Sequence, residues 1–161
     1  MRGYDRFADV YSRFHGPVWR YLAKLGADRD LAEDLTQESF IRWWNSRAAQ
    51  WPDERARPYL FTTASRLLID WHRRAGRQRA FETSAAEADM VEAPANLIDR
   101  GAWAALTTRD RQLLWLAYVE EFSHEEIALV CGIAPGSIKV LLHRARSRIA
   151  GLLKEAETDH G

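Results

Sequence analysis

Between Glu82 and Asn96 the sequence runs through Ala, Glu, Ser and Pro with almost nothing to bury, whereas both flanks are dense in apolar residues at helical spacing. Such a stretch predicts a flexible, solvated linker rather than part of a core. The chain should therefore divide into two small helical domains. With 161 residues, 47% of them hydrophobic, there is enough apolar side chain for two small cores. The boundaries read as a first unit over 1–81, an acidic linker over 82–96, a second unit over 97–157 and a tail over 158–161. No strand-like alternation and no internal repeat appears, so the expected fold is all-α.

In the first unit Phe7, Val10, Tyr11, Phe14, Val18, Tyr21, Leu22 and Leu25 recur three and four apart, which predicts a helix that Gly16 and Pro17 should kink or restart. Gly26 ends that run. Asp28 or Asp30 can cap a second helix through about Trp44, with Ala32, Leu35, Ser39 and Trp43 inward and the acids near the positive end of the helix dipole. Residues 45–57 lack periodicity, contain Pro52, and read as a loop. Pro58 suits the first position of a third helix, running to about Arg79 and burying Leu60, Ala64, Leu67, Leu68 and Trp71.

The second unit carries the most specific local signal. The run from Leu106 through two Thr residues offers a Thr cap before apolar Leu113, Leu114, Leu116, Ala117 and Tyr118, and Ser123 with Glu126 three residues later forms a capping box opening a short helix through Val130. Residues 131–133 make a tight turn, and Pro135 starts a helix from Gly136 to about Leu153 with Ile138, Leu141, Leu142, Ala145 and Ile149 on one side. Two short helices joined by a glycine turn, the second one basic, describe a helix-turn-helix. A helix entering the major groove needs donors on its outer side, and Ser137, Lys139, Val140, His143, Arg144 and Arg146 form the candidate DNA-contacting set. An amphipathic helix with solvated bases would share that composition; the turn and capping box in front of it favour the DNA reading.

Charge supports this once position is considered. The net is zero, but residues 1–80 hold 15 basic and 10 acidic groups, 81–101 hold one and five, and 102–161 hold seven and eight. Arg66, Arg73, Arg74, Arg77 and Arg79 cluster on the third helix after a loop holding Trp51, the pairing of cations and rings that single-stranded DNA requires. Taken alone that pairing is weak, because aromatic residues such as Tyr59, Phe61 and Trp71 are more often core. Asp34, Gln37, Glu38, Ile41 and Trp44 share a stripe of the second helix, and acids beside exposed apolar groups suit docking on a basic partner helix. The lone Cys131 and five scattered His residues offer neither a disulfide nor metal-ligand spacing, so no metal or cofactor is expected. Nothing matches a catalytic set, and an enzyme is not expected. The charged amino terminus lacks the apolar stretch of a signal peptide and no apolar run is long enough to span a bilayer, so the chain is expected to be cytoplasmic, with no membrane insertion.

In this order the parts resemble the extracytoplasmic-function (ECF) group of bacterial sigma factors over nearly the whole chain. Residues 32–44 look like the segment that binds the clamp helices of core RNA polymerase, and residues 59–74 are similar to the helix that melts and reads the minus-ten element. Residues 106–153 look like the domain that reads the minus-thirty-five element. The resemblance implies a non-enzymatic polymerase subunit in which Asp34, Gln37, Glu38, Ile41 and Trp44 meet polymerase. It implies that Trp51, Ser65, Arg66 and Ile69 form the pocket for a flipped minus-ten base, with Arg73, Arg74 and Arg77 beside it, and that the outer side of the last helix faces the upstream duplex. Promoter DNA is thus a partner both as duplex and as single strand, and an anti-sigma factor is a further partner the resemblance allows. Family members usually have Asn where Arg66 stands, and many have Arg where Leu141 stands. The alternative is an autonomous helix-turn-helix regulator with residues 1–80 as a sensor or dimerisation module, which would leave the acidic stripe and the Arg cluster unexplained.

Overall fold

A computed structural model describes residues 2–76 and 100–159, all helix and connecting turn, with no strand among the described residues. The acidic linker, and with it Arg77 and Arg79, lies outside the described residues. In the first region α1 spans Arg2–Lys24, α2 Arg29–Trp44 and α3 Asp53–Arg74, with a 3-10 turn over Arg47–Gln50 between the last two. In the second region α4 spans Arg100–Ala105, α5 Thr108–Leu114, α6 His124–Cys131 and α7 Pro135–Asp159.

Helix α1 runs through Pro17 rather than restarting there. The residue before a proline is pushed out of the helical region mainly by its Cβ, and Gly16 has none, so the helix loses one backbone bond and continues. Asp28 caps α2, its carboxylate accepting from the Leu31 amide at 2.8 Å. The expected inward residues Ala32, Leu35, Ser39 and Trp43 are buried, together with Thr36 and Phe40. Helix α3 starts five residues before Pro58, at Asp53. Pro52 holds the chain extended there, and Asp53 and Glu54 place negative charge in the first turn, where the dipole favours it. The helix stops at Arg74 because Gly76 takes a left-handed φ of 70°, short of the expected end at Arg79. His72 is buried in its last turn, whereas Trp71 is half-exposed.

In the second region the Thr107 hydroxyl accepts from the Asp110 amide, and the capping box closes in both directions, Glu126 N to Ser123 Oγ at 3.2 Å and Ser123 N to Glu126 Oε1 at 3.0 Å. Gly132 turns the chain at φ 66°, so α6 and α7 meet at 93°, within the range of a helix-turn-helix. Helix α7 buries Ile138, Leu142 and Ala145 and continues six residues past the expected end. No periodicity announced the π turn over Trp115–Val119, which follows α5 and ends in a left-handed Glu121 at φ 57°. It turns Phe122 back under the domain, with the Phe122 amide bonded to Leu116 O at 2.9 Å.

The two regions are docked, and their buried apolar side chains join in one contiguous cluster instead of two separate cores. Phe122 packs edge-on to Phe61 at 5.2 Å, and the Arg57 guanidinium sits 4.3 Å over the Phe122 ring while it bonds the Glu120 carboxylate at 3.3 Å and the Glu120 carbonyl. Deeper in, Gln112 donates to the Tyr21 hydroxyl at 2.9 Å, and that hydroxyl lies 2.7 Å from Ser65 Oγ. Trp103 Nε1 and Arg111 both donate to Lys24 O, at 3.3 and 3.4 Å, closing the C-terminal end of α1. Arg111 also reaches Ala104 O and Leu106 O. Burial lowers its pKa to about 10, so it stays charged at neutral pH and its donors satisfy carbonyls that would otherwise be buried without partners.

Candidate nucleic-acid interface

Helix α7 presents Ser137, Lys139, Val140, His143, Arg144 and Arg146 to solvent, and Val140 stays 51% exposed although it is apolar. An aliphatic side chain beside bases on an exposed helix face suits contact with a thymine methyl between phosphate anchors. A groove of about 470 Å³ opens at the start of the helix between Arg109, Ile133, Ser137, Val140 and Arg144. The bases of α7 are not equivalent. Arg146 donates to the Tyr118 hydroxyl at 2.9 Å, and Arg148 holds both oxygens of the buried Asp110 at 2.7 Å, which ties α7 to α5. Arg148 is therefore a structural cation although its side chain stays exposed, and Lys139, Arg144 and Arg146 are exposed beside it.

The first region assembles its candidate surface from several elements. Trp51 ends the 3-10 turn, 41% exposed, with Tyr59 edge-on at 6.5 Å and the Arg55 guanidinium 5.7 Å from its ring. Arg66, Arg73 and Arg74 are exposed along α3, and Ile69 is half-buried. Ser65 lies apart from them. It is fully buried, donates to Phe61 O at 2.7 Å and joins the Tyr21 hydroxyl in the network that Gln112 completes across the docking interface. The structure thus brings Trp51, Arg66 and Ile69 to the surface of one region and keeps Ser65 inside.

On α2, Asp34, Gln37, Ile41 and Trp44 are exposed and Glu38 is half-buried. Ile41 is 51% exposed, and Glu38 pairs with Arg42 at 3.0 Å one turn on. Gln37 leans on Glu33 at 3.0 Å. These side chains keep the acidic-apolar stripe in one orientation on a helix whose opposite face is packed against α1 and α3.

Sequence reasoning missed the residues that brace these surfaces: Arg6, Arg13 and Asp53 around the Trp51 loop, and Arg57, Gln112 and Arg111 at the docking interface. The partners they brace lie 40 or more residues away in the chain, beside local contacts of Arg13, Arg111 and Gln112, so no local spacing could have revealed them.

Residues 10–78 match the family described as Sigma-70 region 2, and residues 101–149 match Sigma-70, region 4. The chain is 30% identical over 162 residues to the RNA polymerase sigma factor CarQ of Myxococcus xanthus, covering 96% of this chain and 93% of that protein. It is 31% identical over 156 residues to the ECF RNA polymerase sigma factor SigL of Mycobacterium tuberculosis, covering 91% and 88%. In fold it resembles the sigma factor RpoE solved in complex with the anti-sigma factor NepR from Bartonella quintana, with a TM-score of 0.67, 24% identity and coverage of 92% and 96%. CnrH, solved with the cytosolic domain of CnrY, gives a TM-score of 0.65 at 21% identity, covering 92% and 88%. Two sigma regions in the same order as the two helical regions, and relatives matched along most of their length, place the chain in its family: it belongs to the ECF RNA polymerase sigma factors.

Proposed function

We propose a division of labour for this sigma factor in which the outer stripe of α2 docks on core RNA polymerase, the Trp51 loop with Arg66, Ile69, Arg73 and Arg74 takes the unpaired minus-ten strand, and α7 reads the minus-thirty-five duplex. The observation that carries it is the exposure of all three surfaces while the opposite face of each supporting helix is packed. An autonomous regulator would not need the region 2 segment that fills residues 10–78. The chain acts where polymerase acts, in the cytoplasm; no single described helix is long and apolar enough to cross a membrane. It contributes binding and strand separation rather than bond chemistry, and an anti-sigma factor is a natural regulator.

The docked arrangement is the resting form of the free protein in this reading. Ser65 joins the minus-ten surface only when the Tyr21, Ser65 and Gln112 network opens, so polymerase binding at α2 would both release the second region and bring the two DNA surfaces to one promoter. Effective concentration then raises DNA affinity without any new contact. Promoter-specific initiation by purified core polymerase plus this chain tests the function. Anisotropy titrations of a selected and a scrambled duplex at one salt concentration, with and without core, test the switch. Tight promoter-specific duplex binding by the free chain would overturn the proposal in favour of an autonomous regulator.

A further inference from the structure

Of the cations on α1, Arg6 turns all three of its guanidinium nitrogens to the segment that carries Trp51 and opens α3. Its Nε donates to Ala49 O at 2.8 Å, one terminal nitrogen donates to Trp51 O, and the other lies 2.9 Å from an Asp53 carboxylate oxygen. The second oxygen of Asp53 is held at 2.8 Å by Arg13, two turns further along α1. Asp53 opens α3, so this set pins both ends of the segment between the 3-10 turn and the helix to a single rigid rod. The guanidinium is also 6.0 Å from the buried Trp43 ring and lines a groove of about 470 Å³ between Trp44, Ser46, Ala49 and Gln50. A planar fork with fixed directions can bond two carbonyls and face a carboxylate as an ion pair at once, which a lysine ammonium on a flexible stem cannot.

We infer that Arg6 is a positioning residue for strand capture: by holding the carbonyls of Ala49 and Trp51 and the carboxylate of Asp53, it fixes the Trp51 ring in the orientation that stacks on an unpaired base. The inference rests on the assignment of the Trp51 loop to the minus-ten strand made above. Its physical content is that stacking depends on where the ring is held before DNA arrives, and a loop with no regular hydrogen-bond ladder must borrow that order from another element. Two carbonyls of the loop lie on Arg6, and Asp53 relays the brace to Arg13. The ring is 41% exposed, with Tyr59 perpendicular to it and the Arg55 guanidinium 5.7 Å over it, so part of its surface stays open to a base.

The experiment uses polymerase holoenzyme assembled with wild type, Arg6→Ala, Arg6→Lys, Trp51→Ala and the Arg6→Ala/Trp51→Ala double variant. It reads affinity for a single-stranded minus-ten oligonucleotide, affinity for core polymerase, and the thermal midpoint of the free chain. Arg6→Ala should weaken oligonucleotide binding about 3- to 10-fold with core affinity unchanged, and Arg6→Lys should recover only part of it. A brace acting through the ring has nothing left to position once the ring is gone, so the double variant should bind as Trp51→Ala does, the mark of coupled residues. Losses that multiply in the double variant, full rescue by Arg6→Lys, or an Arg6→Ala holoenzyme that binds like wild type while Trp51→Ala is impaired would each overturn the positioning role and leave the Trp51 assignment standing. Wild-type binding by Trp51→Ala would instead remove the assignment on which it rests.

Discussion

The two candidate DNA surfaces are built in different ways. That of the second region stands on one helix, α7, and all six of its candidate side chains are exposed because a single amphipathic period sorts them from Ile138, Leu142 and Ala145. That of the first region is a composite of a short 3-10 turn, α3 and braces from α1, and one of its candidates, Ser65, is buried in a network shared with the other region. A surface on one helix is complete as soon as the helix folds. A composite surface depends on distant contacts, so it can be switched by them and is damaged by changes that never touch DNA.

The largest expected effect lies upstream of both surfaces. Exchanging Asp34 and Glu38 for Lys should abolish core polymerase binding in a pull-down while circular dichroism shows unchanged helicity, because both surfaces reach the promoter through that stripe. Retained affinity in the folded double variant would remove α2 from the polymerase contact. The next effect separates the surfaces from each other. Trp51→Ala should cost about 1–3 kcal/mol of single-strand interaction, the usual worth of one stacked base, and leave binding to a minus-thirty-five duplex unchanged. Permanganate footprints of the bubble that match wild type would show the ring to be only a prop for Tyr59.

Smaller effects probe the docking. Arg57→Ala with Gln112→Ala removes two contacts between the regions, each with a net worth of about 1 kcal/mol. Energy transfer between dyes placed on the two regions should fall in the double variant, and single-strand binding by the free chain should rise as the Ser65 network opens. No change in transfer would mean that the apolar contact of Phe61 with Phe122 suffices. At comparable size but confined to one region, Ser123→Ala should cost the second region about 1 kcal/mol by thermal unfolding through loss of the capping box. The first region's dye-reported unfolding should be unaffected unless the docked pair melts as a unit.

The smallest effect is a pH dependence. Burial raises the pKa of Glu120, and Arg57 opposes that shift only in part. An acid whose pKa is raised in the folded chain binds more protons folded than unfolded, so its contribution is fully present below the ordinary carboxylate pKa and is lost as pH rises through the raised value. The difference in thermal midpoint between wild type and Glu120→Gln should therefore shrink as the medium is acidified. A difference that is flat across that range would place the Glu120 carboxyl in water.

The helices with one apolar face were legible in the sequence, because period 3.6 reports a face directly. Ser123 and Gly132 marked ends because capping is a local interaction over three or four residues, and of the Asp and Thr candidates the structure uses Asp28 and Thr107. The start of α3 was not legible at Pro58, since the favourable signals there, Pro52 followed by two acids, compete with a proline that is tolerated at the cost of one backbone bond. The union of the two cores was hidden for a different reason. Arg57, Gln112 and Arg111 look like surface residues in composition, and only the fold shows each of them spending its donors on carbonyls, a hydroxyl or a carboxylate of a distant segment. The exposed members of the candidate surfaces followed from periodicity, whereas the braces behind them did not.

Helix α7 is unbroken from Pro135 to Asp159, about 37 Å at 1.5 Å per residue. Its first turns carry the groove with Lys139 and Arg144, and Leu152 in its later turns is seated against the core. A rod of that length with its middle held by Arg148 on Asp110 behaves as a lever with a fulcrum. A tilt about that point moves the two ends in opposite senses, so in the proposed reading the angle at which α7 meets the major groove is set as much by what holds the far end of the helix as by the side chains that touch the bases.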